Sequence, residues 1–211
     1  MSLNLFRKYG IVPAWADVML GLKLGLVTEK EVSDEAVRAL GGSGKQGGDD
    51  EKALLELCWP DLSRDEVLSR VGALADARAA GLAEERWEYV LCKAALDRRG
   101  SDEELLDALA DVYAILGYPA DMRPFVYYIP AEGGACGLAG LSVSQRRRAL
   151  LDRARCFLQA RRLAIDFPSG SAASDCEIEK TGMTVGFAAP FAHRAALADF
   201  GGGRPPHEKP R

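Results

Sequence analysis

The residues of this chain that could do chemistry are few and far apart. Its two histidines, His193 and His207, both lie near the C-terminal end. A Ser-His-Asp or Cys-His site would have to borrow one of them from a Ser-, Ala- and Gly-rich stretch. There is no His-Glu-x-x-His, Cys-x-x-Cys or calcium-loop pattern, so neither a metal nor a cofactor is expected. The run Gly41-Gly42-Ser43-Gly44-Lys45-Gln46-Gly47-Gly48 invites a phosphate-loop reading and fails it. Ala39 stands where the first glycine is needed, Gln46 stands where Ser or Thr is needed, and the run follows a helical pattern rather than a strand. It reads as a flexible loop. The five cysteines (Cys58, Cys92, Cys136, Cys156, Cys176) are odd in number and scattered. That suits reduced thiols, mostly in or near the core, of a cytosolic protein. Surface carboxylates are too numerous for the sequence to single out an acid–base pair.

Charge is more informative. The chain carries a net −4, which does not favour nucleic acid overall. Its distribution is uneven. From Asp61 to Asp121 fourteen acidic residues face seven basic ones; from Ser142 to Arg162 seven arginines accompany one aspartate. Within the acidic stretch Glu103, Asp107 and Asp111 recur every fourth residue. At about 100° per residue they form a line down one helix face, opposite a leucine-rich face. The plain reading is a solvated outer face; the sharper one is a docking stripe for a basic partner. In the basic stretch Arg148, Arg155 and Arg162 repeat every seven residues along one flank, with Arg146 and Arg153 on the other. Such arginines could pair with the acidic helices, neutralise phosphates or meet a protein partner. Only Phe157 among the aromatics interleaves with them, and it falls on the apolar face.

The elements that must position these residues read as helices. Trp87, Val90, Leu91, Ala94 and Ala95 place a helix at about 83–98. Ser101 and Glu104 form a capping box for a second helix, with Leu105, Leu106, Leu109, Val112, Tyr113 and Leu116 on one face. Gly117 suits the left-handed position after its last turn, and Pro119 prevents continuation. Before this hairpin, Pro13 fits the first turn of a helix to about Lys23. Thr28 and Glu31 cap a helix burying Val32, Ala36, Val37 and Leu40, which forms a short hairpin with the one before it. Asp49 or Asp50 opens a helix to about Cys58. Ser63 and Glu66 cap another that runs to about Ala80 and is closed by Gly81. After the hairpin, the run from Tyr118 to Pro130 reads as an extended segment clamped by Tyr127 and Tyr128, with their hydroxyls at the rim. Ser142 or Ser144 caps a last helix to about Leu163, with Leu150, Leu151, Ala154, Phe157 and Leu158 facing inward.

Trp87-Glu88-Tyr89, the hairpin with Tyr113, Tyr118-Pro119, and the ending Phe125, Tyr128, Pro130 resemble a bacterial family catalogued as domain of unknown function 2247. The run around Trp15, Gly21 and Leu26 is similar to it as well. The resemblance spans about 5–163 and leaves out the glycine-rich loop and everything after Ile165. It implies a bacterial cytosolic protein and brings no established activity or catalytic residues.

The expected architecture is therefore all-α: an irregular multi-helix bundle of helical hairpins over residues 1–165, followed by a low-complexity, mobile tail over 166–211 with a weak helix at 191–200. No apolar run reaches the ~20 residues that span a bilayer, and no signal peptide is visible at the N-terminus. The expected function is protein–protein binding without catalysis, in its most concrete version a bacterial immunity protein neutralising a basic toxin through Glu103, Asp107 and Asp111. The alternatives are nucleic-acid binding through the arginine-rich helix 144–163, using Arg148, Arg155 and Arg162, and an enzyme of unknown chemistry.

Overall fold

The structure, a computed structural model, describes residues 2–42, 49–59, 61–128, 138 and 140–167. The core of the glycine-rich loop, the 132–137 loop and the expected tail beyond 167 lie outside the described residues. Among the described residues eight α-helices and one 3-10 turn make up the regular structure, with no strand. The helices are α1 (Leu3–Lys8), α2 (Trp15–Lys23), α3 (Glu29–Gly42), α4 (Asp49–Leu57), α5 (Arg64–Leu74), α6 (Ala77–Leu96), α7 (Asp102–Ile115) and α8 (Val143–Asp166). The 3-10 turn is Ala120–Phe125.

Capping chemistry sets most of the boundaries. Ser63, Ser101 and Ser142 each accept from the backbone amide three residues on. Glu66, Glu104 and Gln145 reach back to the three serine amides at 2.9, 2.7 and 2.9 Å. Each box satisfies amides that the first turn would otherwise leave orphaned. Thr28 and Glu31 do the same for α3. At α2 only half a box exists. The cap is Ala14, which has no side-chain acceptor, and Asp17 Oδ2 accepts from the Ala14 amide at 2.7 Å. Pro13 sits before the cap rather than in the first turn.

Helix α6 is the hub. It packs against α1, α2, α7 and α8, while α2 also packs on α5, α3 on α4, and α8 on α7 and the 3-10 turn. The hairpin expected of α2 with α3 is replaced by α3 with α4, because α2 turns its inner face to α5 and α6. Trp87, fully buried, anchors the centre. Phe6 of α1 meets it edge-on at 4.8 Å, and its indole Nε1–H donates to the Asp17 carbonyl at 2.9 Å. Gly21 lets α2 approach this closely. A Cβ there would stand 2.6 Å from Trp87 Cζ2 and collide with Val27. Gly21→Ala is therefore expected to destabilise the fold by about 1–3 kcal/mol, measurable by urea denaturation. Gly72→Ala, whose nearest neighbour is the flexible Met19 end at 3.4 Å, serves as the mild control.

Three further expectations need correction. The helix opened by Ser63 stops at Leu74. Ala75 turns extended (φ −76, ψ 117), and α6 then runs unbroken through Gly81. An exposed glycine inside a helix costs only about 1 kcal/mol. Burying Ala83 and Trp87 just beyond it returns more. Val37, expected inside, is exposed, because α3 buries only the narrow stripe of Val32 and Ala36. The Tyr118–Pro130 run is not extended through its middle. Ala120–Phe125 coils into the 3-10 turn, and Met122, Phe125 and Val126 fix it to the core, with Phe125 packed on Phe157 of α8 at 5.2 Å.

Candidate functional site

Two ionic clusters, each built on one buried carboxylate, flank Trp87 on α6. On one side Asp17, fully buried, takes Arg86 Nη1 at 3.0 Å as well as the Ala14 amide. Burial pushes the Asp17 carboxyl above its ordinary value against the pull of those two donors. On the other side Arg161 of α8 reaches Asp121 at 2.6 Å, Glu88 at 2.8 Å and Glu85 at 3.2 Å. Burial also raises the Glu88 carboxyl, with Arg161 opposing it. The Cys92 thiol, one turn further along α6, is buried and held far above the usual thiol range, so it stays protonated and is a poor nucleophile. These groups tie α2, α6, α8 and the 3-10 turn together; their charges point at one another. Cys58 is half-buried and Cys156 is exposed, so the cysteines are not uniformly core residues.

The arginines of α8 are mostly spent within the chain. Arg146 Nε donates to the Leu141 carbonyl at 3.1 Å and Arg153 Nη1 to the Pro124 carbonyl at 3.2 Å. Arg147 pairs with Glu103 at 2.9 Å. Of the three singled out from the sequence, Arg155 pairs with Asp152 at 2.7 Å. Arg162 donates to Asp166 at 2.9 Å and to the Tyr9 carbonyl at 3.0 Å, and lies over the Tyr89 ring. Arg148 shows no such partner among the described residues; it lines a shallow depression with Asp102, Ser144, Gln145 and Asp152. The seven-residue repeat thus reaches three different environments and makes no continuous cationic rail.

The acidic line on α7 stays at the surface. Glu103, Asp107 and Asp111 are exposed, and Ile115, 45 % exposed, extends the same four-residue step by one more turn. Just past it the chain takes two consecutive left-handed residues, Gly117 (φ 74) and Tyr118 (φ 65). Glycine does this freely; for tyrosine the left-handed region costs about 1–2 kcal/mol. The result is a cluster of rings. Tyr113 is buried and packs on Tyr118 at 5.2 Å and on Tyr128 at 6.4 Å, and Tyr127 meets Tyr128 edge-on at 5.5 Å. Tyr118, Tyr127 and Tyr128 remain 60 %, 53 % and 50 % exposed. The neighbouring Asp107 carboxylate raises the pKa of the Tyr127 hydroxyl, with a smaller push from Glu103. Part of the carboxylate line predicted from spacing therefore lies near the tyrosines predicted as clamps. Their juxtaposition was not readable from the sequence, since it depends on the 3-10 turn.

The fold and this face define a class: an all-α bundle of helical hairpins in which most of the α8 arginines are engaged within the chain and one face of α7 carries exposed carboxylates. Within that class the chain belongs to the family described as an uncharacterized protein conserved in bacteria, domain of unknown function 2247, whose model matches residues 3–162. No curated protein and no solved structure matches the chain. Among the described residues no helix is long and apolar enough to cross a membrane, and no three His, Cys, Asp or Glu side chains gather as metal ligands.

Proposed function

We propose that this is a non-enzymatic binding protein of the bacterial cytosol that captures a basic protein on the α7 face, in its most concrete form an immunity protein that neutralises a cognate toxin. The observation that carries the reading is the unequal use of charge. Six of the seven α8 arginines between 146 and 162 are engaged within the chain, whereas on α7 Arg147 takes Glu103 and leaves Asp107 and Asp111 exposed. An acidic face steers a basic partner into encounter, and aromatic rings supply the contact area that binding hot spots use. The nucleic-acid alternative would need the guanidiniums of helix 144–163 released from those partners and ranks second for that reason. Catalysis ranks below both, because the perturbed carboxylates Asp17 and Glu88 face arginines inside the bundle.

The test is charge reversal. Glu103→Lys, Asp107→Lys and Asp111→Lys together are expected to weaken partner capture by about 100-fold or more, with unchanged helicity by circular dichroism. Undiminished capture by the triple variant would reject the α7 face.

A further inference from the structure

We infer that the protein pairs with a second copy of itself through the outward face of α8, the two helices lying antiparallel. The bundle leaves a seam there uncovered. Helix α8 buries Leu150, Leu151, Ala154 and Leu158, and packs on α6, α7 and the 3-10 turn. Away from that side Ala149, Arg153, Cys156, Ala160, Leu163 and Phe167 recur at alternating steps of four and three residues. A 3.5-residue repeat is the spacing that keeps a seam facing a neighbouring helix along its length. The 24 residues of α8 make that length about 36 Å. Cys156 and Ala160 are exposed, and Leu163 and Phe167 are 61 % and 74 % exposed.

Charge selects the occupant and its direction. Beside the seam the charges close into pairs along the helix, Arg155 with Asp152 at 2.7 Å and Arg162 with Asp166 at 2.9 Å. A strongly charged partner finds little to attract it. Among the described residues Arg148 is the one α8 arginine without such a pair, and it is exposed at the N-terminal end of the seam. In an antiparallel pair that sets Ala160 opposite Cys156 of the second copy, Phe167 falls opposite Ala149, and Leu163 opposite the stem of Arg153. Large side chains meet small ones or an aliphatic stem, and each contact occurs twice, as a two-fold interface requires. In the same register Arg148 comes to Asp166 at the far end of the other helix. There it meets a carboxylate and the negative end of a helix dipole together. A parallel pair would bring the two Arg148 side chains to the same end and supply neither. The seam uses none of the α7 carboxylates.

Sedimentation equilibrium of the full chain is expected to show a dimer with a dissociation constant of about 10 µM, the weak range that suits a small interface. Leu163→Lys with Phe167→Lys should raise that constant about 30-fold or more, with unchanged helicity by circular dichroism, because both side chains are exposed in the single copy. Arg148→Glu alone and Asp166→Lys alone should each raise it about tenfold. The two together should bind more tightly than either alone, since the exchanged charges meet again across the interface. The Glu103→Lys, Asp107→Lys, Asp111→Lys variant should dimerise as the unsubstituted chain does, which separates this interface from the α7 face. A chain still monomeric at about ten times the expected constant would overturn the inference. So would a dimer indifferent to Leu163→Lys with Phe167→Lys, or a double charge variant no tighter than the single ones.

Discussion

Trp87→Ala is expected to remove about 3–5 kcal/mol of stability, a large part of the 5–15 kcal/mol that typically holds a domain folded. Three losses coincide there. The fully buried indole leaves a cavity against Phe6, the Asp17 carbonyl loses its donor, and Gly21 loses the surface that justified its missing side chain. Urea denaturation followed by circular dichroism measures it. Trp59→Ala is the internal comparison: the same residue type, 68 % exposed after α4, should change stability by no more than about 0.5 kcal/mol. Similar effects at the two sites would mean that α6 is not the organising helix.

Arg161→Ala is expected to be nearly as costly at neutral pH, about 3–5 kcal/mol, because it strands the buried Glu88 without a counter-charge. Glu85 and Asp121 are more exposed and can turn to water. The pH dependence separates this cause from lost packing. Burial raises the folded-state pKa of Glu88 above its ordinary 4.5, so the folded form holds its proton more tightly than the unfolded chain does. Its favourable contribution is complete below about 4.5 and is lost as pH rises through the folded value. Removing Arg161 takes away the charge that opposed this rise. The variant's deficit should therefore shrink as the pH is lowered from 7 towards 4.5, and Glu88→Gln in the Arg161→Ala background should recover stability at neutral pH. A deficit independent of pH would assign the loss to the side chain's packing instead.

Much of this fold is legible in the sequence because capping is local. Ser63 with Glu66, Ser101 with Glu104, and Thr28 with Glu31 declare helix starts within four residues, and all three stand. Helix ends are less legible. Ala75 breaks the chain with no glycine or proline to mark it, whereas Gly81 is carried through because packing beyond it outweighs its propensity. Side-chain partners are least legible. Periodicity puts Arg161 on α8, but only the tertiary fold brings Glu85, Glu88 and Asp121 to it and leaves Arg148 beside Asp102 and Asp152. The candidate site divides the same way. The line of Glu103, Asp107 and Asp111 follows from helix geometry. The ring cluster and the approach of Tyr127 to Asp107 follow from a 3-10 turn and a left-handed tyrosine that no spacing rule announces.

The proposed binding of a basic protein to the exposed carboxylates of α7 is open to affinity capture with the full chain in lysate of its own bacterium, with the neighbouring genes co-expressed, followed by native mass spectrometry of whatever is held. One basic polypeptide in fixed stoichiometry, released by the Glu103→Lys, Asp107→Lys, Asp111→Lys variant, is expected. No partner across several growth states, or a partner held equally by that variant, would contradict it.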